Sequence, residues 1–155
     1  MKKLILWIVS LFSRTSNKPN RYNLDVQVEN ISEASFKNAM FNEINSFRKK
    51  NKLPVYSYHL NLGKVAVQHS KDMVYRDKPG HEYFPERERM FPELILSEVI
   101  GYNFKSAEGF LNAFLNSPRH KKIFFEPAYN HIGIGSETNK EGKRFLTIIF
   151  AKDRQ

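Results

Sequence analysis

The chain has 155 residues, 41% of them hydrophobic and 26% charged, which allows one domain with its own core and excludes a globally disordered chain. It contains no cysteine, which excludes a thiol nucleophile, a thiolate zinc site and a disulfide framework, so any metal would be held by His, carboxylate or carbonyl groups. The formal charge of +9 suits anionic surfaces. Lys and Arg are scattered, however, with short runs only at Arg48-Lys49-Lys50 and Arg119-His120-Lys121-Lys122, which read as solvated faces and not as a specific nucleic-acid reader.

Lys2 and Lys3 precede an apolar run from Leu4 to Phe12, the pattern of an export signal. The run is far shorter than the roughly 20 residues that a spanning helix needs. No small-x-small cleavage site follows it. Residues 1–13 are therefore expected to be a signal peptide or a retained N-terminal hydrophobic anchor, and the chain to be exported to the extracellular space or the cell envelope. Losing Lys2 and Lys3 would leave a formal charge of +7, so the basic character survives either way. Residues 14–34 are polar, lack a helical period and read as a linker. Their Asn30-Ile31-Ser32 sequon is read as a chance match.

The domain is expected over residues 35–153. From Ser35, apolar residues at Phe36, Met40, Ile44 and Phe47 line one face of a helix that Asn51 and Pro54 end. From His59, the residues Leu62, Val65, Ala66, His69 and Met73 line one side of a second helix, which makes His69 a hydrogen-bonded core histidine. Lys78-Pro79-Gly80 is a turn, His81 follows, and PERERMFPEL is a charged segment broken by Pro85 and Pro92. Leu96 to Phe104 reads as a strand. Ser106 caps a third helix with Phe110 and Phe114 stacked at i, i+4. Ser117-Pro118 restarts a helix, with Ser at the cap and Pro at its first position. HIGIGSE and RFLTIIFAK flank Asn139-Lys140-Glu141-Gly142 as a terminal hairpin whose apolar second strand should be central. Helices first and an antiparallel sheet built in the second half make an α+β layer fold.

Several motifs fail on inspection. His81-Glu82 begins like HExxH, but Pro85 stands where the second histidine should be. Gly133-Ile134-Gly135 lacks the third glycine of a dinucleotide loop and sits in a strand. There is no GxSxG elbow and no P-loop. What survives is His81 in a turn, Glu98 in a strand and His120 at a helix start, each at the edge of a regular element. If Ser117 is the cap, the helix dipole lowers the pKa of His120 and keeps it neutral. His120 and Glu98 then either brace the sheet as a buried polar pair or contribute to a metal or ligand site. His131 begins a strand and reads as a rim residue.

Taken in order, NEINSFRKKNKLPV, HLNLGKVAVQHSKDM, the His81 turn, SEVIGYN, AFLNSPRHKKIFF and NHIGIG resemble the CAP superfamily (cysteine-rich secretory, antigen 5 and pathogenesis-related proteins), in its bacterial SCP-like single-domain branch. The resemblance implies a three-layer α-β-α sandwich with a small antiparallel sheet. It also implies a cleft tetrad of two histidines and two acids. Carried over by position, the histidines are His81 and His120 and the first acid is Glu98. The position of the second acid falls on Ser117. Phe114 stands where the family has Trp, Arg119 where it has Gly, and Val99 where it has Asn.

The resemblance implies a secreted or envelope-associated binding module. Its cleft of His81, Glu98, Ser117 and His120 would take a divalent metal, a lipid or another small ligand. Zn or another divalent metal would sit on His81 and His120. The alternative is a metal-assisted hydrolase or protease using His81, Glu98 and His120. A lipid or anionic envelope surface and an unidentified protein are the partners expected, specific nucleic acid is not, and the chain is expected to be a monomer.

Overall fold

The structure is a computed structural model in which residues 31–155 are described. The expected signal or anchor, most of the expected linker and Asn30 of the sequon lie outside the described residues. The first helix, α1 (Ile31–Lys50), begins ahead of the Ser35 expected from the sequence. The reason is Glu33, which lies inside α1, only 2% exposed. It accepts hydrogen bonds from the Ser136 hydroxyl, from Thr138 Oγ1 at 2.6 Å and from Arg144 Nε at 3.3 Å. Burial pushes this carboxyl up, but the bonds from Ser136, Thr138 and Arg144 outweigh it and hold the group below the usual carboxylate range.

Phe36, Met40 and Ile44 are buried along α1 as their spacing requires. The helix ends at Lys50 and the chain reverses through Lys52, at a φ of 57°. A short strand, β1 (Ser57–Tyr58), leads into α2 (Leu60–Arg76), capped by His59, whose Nδ1 accepts from the Leu62 amide at 3.2 Å. Then come α3 (Phe84–Arg89), β2 (Leu94–Tyr102), α4 (Ala107–Leu115), α5 (Pro118–Phe125), β3 (His131–Thr138) and β4 (Arg144–Asp153). Ser106 caps α4 by accepting from the Gly109 amide at 3.0 Å.

The four strands lie in the order β1-β3-β4-β2. β4 pairs antiparallel with both β2 and β3, so the apolar last strand is central as its composition suggested. β1 departs from the expected antiparallel sheet of second-half segments, because it comes from the first half and pairs parallel with the start of β3. Leu146, Ile148 and Phe150 of β4 face α1, α4 and α5, whereas Ile149 and Ala151 face α2 and Phe91. The sheet is thus covered on both faces, and the architecture is the three-layer α-β-α sandwich.

Two glycines of β3 set the spacing on the α2 face. A Cβ at Gly133 would lie 2.4 Å from the Leu62 carbonyl carbon, and one at Gly135 would lie 2.1 Å from the backbone of Ala66 and Val67. Backbone cannot yield as a side-chain tip can, so only glycine lets α2 sit this close. The contact is fixed further by Ser70, whose hydroxyl donates to the Gly135 carbonyl at 3.0 Å and accepts from Thr147 at 2.9 Å.

Arg48 corrects the reading of its basic run as a solvated face. Lys49 and Lys50 are exposed, but Arg48 is fully buried. Its guanidinium donates to the carbonyls of Pro54 (2.8 Å), Phe124 (3.1 Å), Glu126 (2.9 Å) and Tyr129 (3.3 Å) and lies 4.2 Å over the Tyr56 ring. The expected outcome of Gly135→Ala is a loss of about 3 kcal/mol or more of stability by overpacking, read as the shift in a denaturant midpoint at unchanged slope.

Candidate functional site: a buried arginine beneath two histidines

The charged segment after His81 does not stay irregular. Tyr83 turns the chain at a φ of 62°, and Phe84–Arg89 forms α3. Pro85 is tolerated because a first-turn residue has no helical donor to lose. The helix turns Arg87 inward, against the bottom of the candidate site, with its side chain 0% exposed.

Arg87 grips Glu98 with a two-pronged fork: Nε donates to Oε2 at 2.8 Å and Nη2 to Oε1 at 2.7 Å. Its remaining nitrogen, Nη1, donates to the Glu82 carbonyl at 2.8 Å and to His69 Nδ1 at 3.2 Å. Arginine can only donate, so His69 Nδ1 accepts, and the ring proton is on Nε2, which donates to the Gly80 carbonyl at 2.8 Å. His69 is therefore the core histidine expected from its place on α2. Burial first, then the Arg87 charge, pushes it down to about 4. It is neutral at ordinary pH, and its 4.0 Å approach to Glu98 is not an ion pair.

His81 comes from the turn after α2. Its Nδ1 lies 3.0 Å from Glu98 Oε1 and donates to it, while half of the side chain faces solvent. No described residue reaches its Nε2. Burial pushes the Glu98 carboxyl up, but the His81 bond and the Arg87 charge and bonds win and hold it below the usual carboxylate range.

His120 stands at the start of α5, half-buried, its ring edge-on to Phe114 at 5.4 Å. Its pKa is lowered as expected, but the causes are burial first, then the charges of His81 and Arg119. His81 lies on the α2 face of the sheet, against Glu98. His120 rides on Phe114, in the α4 and α5 layer. Phe114 in turn packs over Gly101 of β2, and Glu98, which holds His81, belongs to the same strand, the last in the sheet. The cleft therefore lies at the β2 edge.

Ser117 holds the extended cap conformation before α5, but its hydroxyl makes no cap hydrogen bond. His131 belongs to none of this. It opens β3, half-buried, with its ring edge-on to His59 at 5.7 Å, the rim position that its sequence context suggested. The structure thus joins His81 to Glu98 directly and brings His120 within electrostatic reach, with Ser117 beside it. Sequence reasoning missed Arg87. A signal was present: Phe84, Arg87 and Phe91 recur at helical spacing and the two aromatics face inward.

Two outcomes follow from this network. Arg87→Met should cost about 3 kcal/mol or more, because it strands the buried Glu98 charge; the measurement is a denaturant melt, with Arg87→Met/Glu98→Leu recovering part of the loss. Unfolded His69 takes a proton near pH 6.5 but folded His69 only near 4, so protons favour the unfolded chain across that window. Stability should fall from pH 6.5 toward 4, by an amount on the order of 3 kcal/mol for this group. Glu98 adds a further loss below the ordinary carboxylate range, as pH drops through its lowered pKa. His69→Gln should flatten the upper part of the curve.

Among solved structures, the chain is similar to an outer surface protein from Borrelia burgdorferi, with a TM-score of 0.71 at 20% identity, covering 82% of this chain and 97% of that one. It is also similar to an extracellular protein containing a SCP domain from Bacillus anthracis, with a TM-score of 0.66 at 20% identity, over 81% of this chain and 45% of that one. A cysteine-rich secretory protein from Staphylococcus aureus gives 0.67 at 12% identity, over 81% and 41%. The chain thus spans nearly all of the first and under half of the other two. No curated protein sequence matches it. At these identities the likeness carries the fold. Membership rests on the profile described as "CAP: Cysteine-rich secretory protein family", which matches residues 41–150, well over half of the chain; the chain belongs to that family.

Proposed function

We propose that this chain is an exported, envelope-associated binding module whose His81–His120 cleft takes a polar or anionic ligand, and that it is not a metal hydrolase. The observation that carries this reading is the Arg87 fork on Glu98. A zinc site with an open position needs three protein ligands. Here both oxygens of Glu98 are taken by Arg87 and His81. His81 has spent Nδ1 on Glu98. The remaining free nitrogens are His81 Nε2 and those of His120. Among the described residues no group of three or more His, Asp or Glu is placed to hold a metal. The donor set does not fit a zinc centre.

The hydrolase alternative meets the same obstacle. Glu98 is held ionised and buried by Arg87, which makes it a poor proton acceptor near neutral pH. No described base is hydrogen-bonded to the Ser117 hydroxyl. Export is supported by Lys2, Lys3 and the apolar run that follows, and by the basic charge, which suits an anionic envelope surface. The relatives described as an outer surface protein and an extracellular protein are in keeping with it. No helix among the described residues is long and apolar enough to cross a membrane.

Zinc titrated into the protein by calorimetry should show no binding tighter than a Kd of about 1 mM, the level of about −4 kcal/mol. Tighter binding that disappears in His81→Ala/His120→Ala would overturn the reading. So would hydrolysis of a peptide and ester panel that the same double substitution abolishes.

A further inference from the structure

The register of β2 leaves one row of backbone groups unused. Arg154 donates its amide to the Glu93 carbonyl at 2.8 Å and Asn103 donates its amide to the Arg144 carbonyl at 2.8 Å. These bonds bracket the strand and fix the phase of the ladder: odd-numbered residues of β2 bond to β4, and even-numbered ones point their amides and carbonyls away from it. Leu94 confirms this phase, since its amide turns outward to the Phe91 carbonyl and its carbonyl accepts from Arg154 Nη2 at 3.1 Å. Beyond Leu94, the outward amides and carbonyls of Leu96, Glu98, Ile100 and Tyr102 have no partner among the described residues. An alternating row of donors and acceptors at strand spacing has one complementary shape, another extended backbone.

This open row runs along the floor of the cleft. Glu98 is one of its members, and His81 and His120 flank it from the two faces of the sheet. The charges around it favour an acidic guest. Glu98 is neutralised by Arg87, and Arg119 next to His120 is exposed with no ion pair among the described residues.

We propose that the β2 edge is a peptide-binding site: an extended, acidic segment of a partner protein adds to the sheet as a fifth strand, pairing with the backbone of Leu96, Glu98, Ile100 and Tyr102 between His81 and His120. The backbone pairing supplies the affinity, and alternate side chains of the guest reach the two histidine-bearing walls. This rests on the reading of the cleft as a binding site and names its ligand class.

The probe is a capped Val-Glu-Val-Glu-Val-Glu peptide titrated into the full chain, followed by amide hydrogen exchange and nitrogen-proton correlation spectra. The expected result is protection of the Glu98 and Ile100 amides on binding. Methylating alternate backbone nitrogens of the peptide should weaken binding by about tenfold or more, from the lost hydrogen bonds. Ile100→Pro should do the same while leaving the melting curve near wild type, since the Ile100 amide takes no part in the β2–β4 ladder and edge positions tolerate proline. The methylated peptide tests the claim without altering the protein, should that variant fail to fold. Replacing Glu by Lys in the peptide should abolish binding at moderate salt.

Three results would overturn the proposal: no protection of these amides, equal binding of the methylated peptide, or protection that rises with protein concentration alone, which would assign the edge to a second copy of the chain. If the amides stay unprotected while the His81 and His120 ring signals shift with added peptide or inorganic phosphate, the strand proposal fails and the cleft remains a binding site of another kind. If neither set of signals responds, both readings fail.

Discussion

The fold hangs on how closely α2 lies against β3. Gly133 and Gly135 remove the two side chains that would hold the layers apart, and the helix backbone descends onto the strand. Everything on the α2 face is placed by that descent. Ser70 reaches the Gly135 carbonyl and Thr147. His69, on the next position of the same buried face, reaches Arg87 and the Gly80 carbonyl. The Gly80 bond in turn seats the turn that presents His81 to Glu98. A packing contact of backbone on backbone thus positions a polar cluster on the neighbouring strand.

Two arginines share one physical logic in different places. Each is fully buried and each meets its burial cost by having its planar donors filled from fixed directions. Arg48 spends its donors on carbonyls of the loops around the end of α1 and the end of α5. Arg87 spends them on Glu98, Glu82 and His69. The first holds irregular chain together; the second fixes the charge state of the cleft floor. Lysine, with a single compact charge, could not make either set.

Most of the helices and the hairpin were legible because they obey simple periods. The faces of α1 and α2, the Ser106 cap and the Asn139–Gly142 turn all follow from local spacing. What escaped notice depends on pairing across the chain. β1 has two residues and exists only because β3 offers them an edge. Glu33 looks like a linker residue until Ser136, Thr138 and Arg144 arrive from more than a hundred positions away. His81, Glu98 and His120 were singled out by order and resemblance, and the structure places His81 on Glu98. Arg87 and Arg48 were hidden because a charge in a charged run reads as solvent-facing, and only tertiary partners reverse that. The pKa of His120 was anticipated in direction from the helix start, whereas burial and neighbouring cations are what lower it.

Arg48 also gives the cleft a mechanical property. It fastens the carbonyls of Phe124 and Glu126, at the far end of α5, to the last turn of α1. The near end of α5 is held by backbone instead: Ser117 donates its amide to the Phe114 carbonyl at 3.1 Å at the end of α4, its hydroxyl makes no cap bond, and His120 meets the Phe114 ring edge-on. The helix is therefore tied at both ends, to the last turn of α1 through the Arg48 guanidinium and to α4 through the backbone at Ser117. The helix that carries His120 is thus anchored by an arginine whose own bonds go to Pro54, Phe124, Glu126 and Tyr129 and to no residue of the cleft.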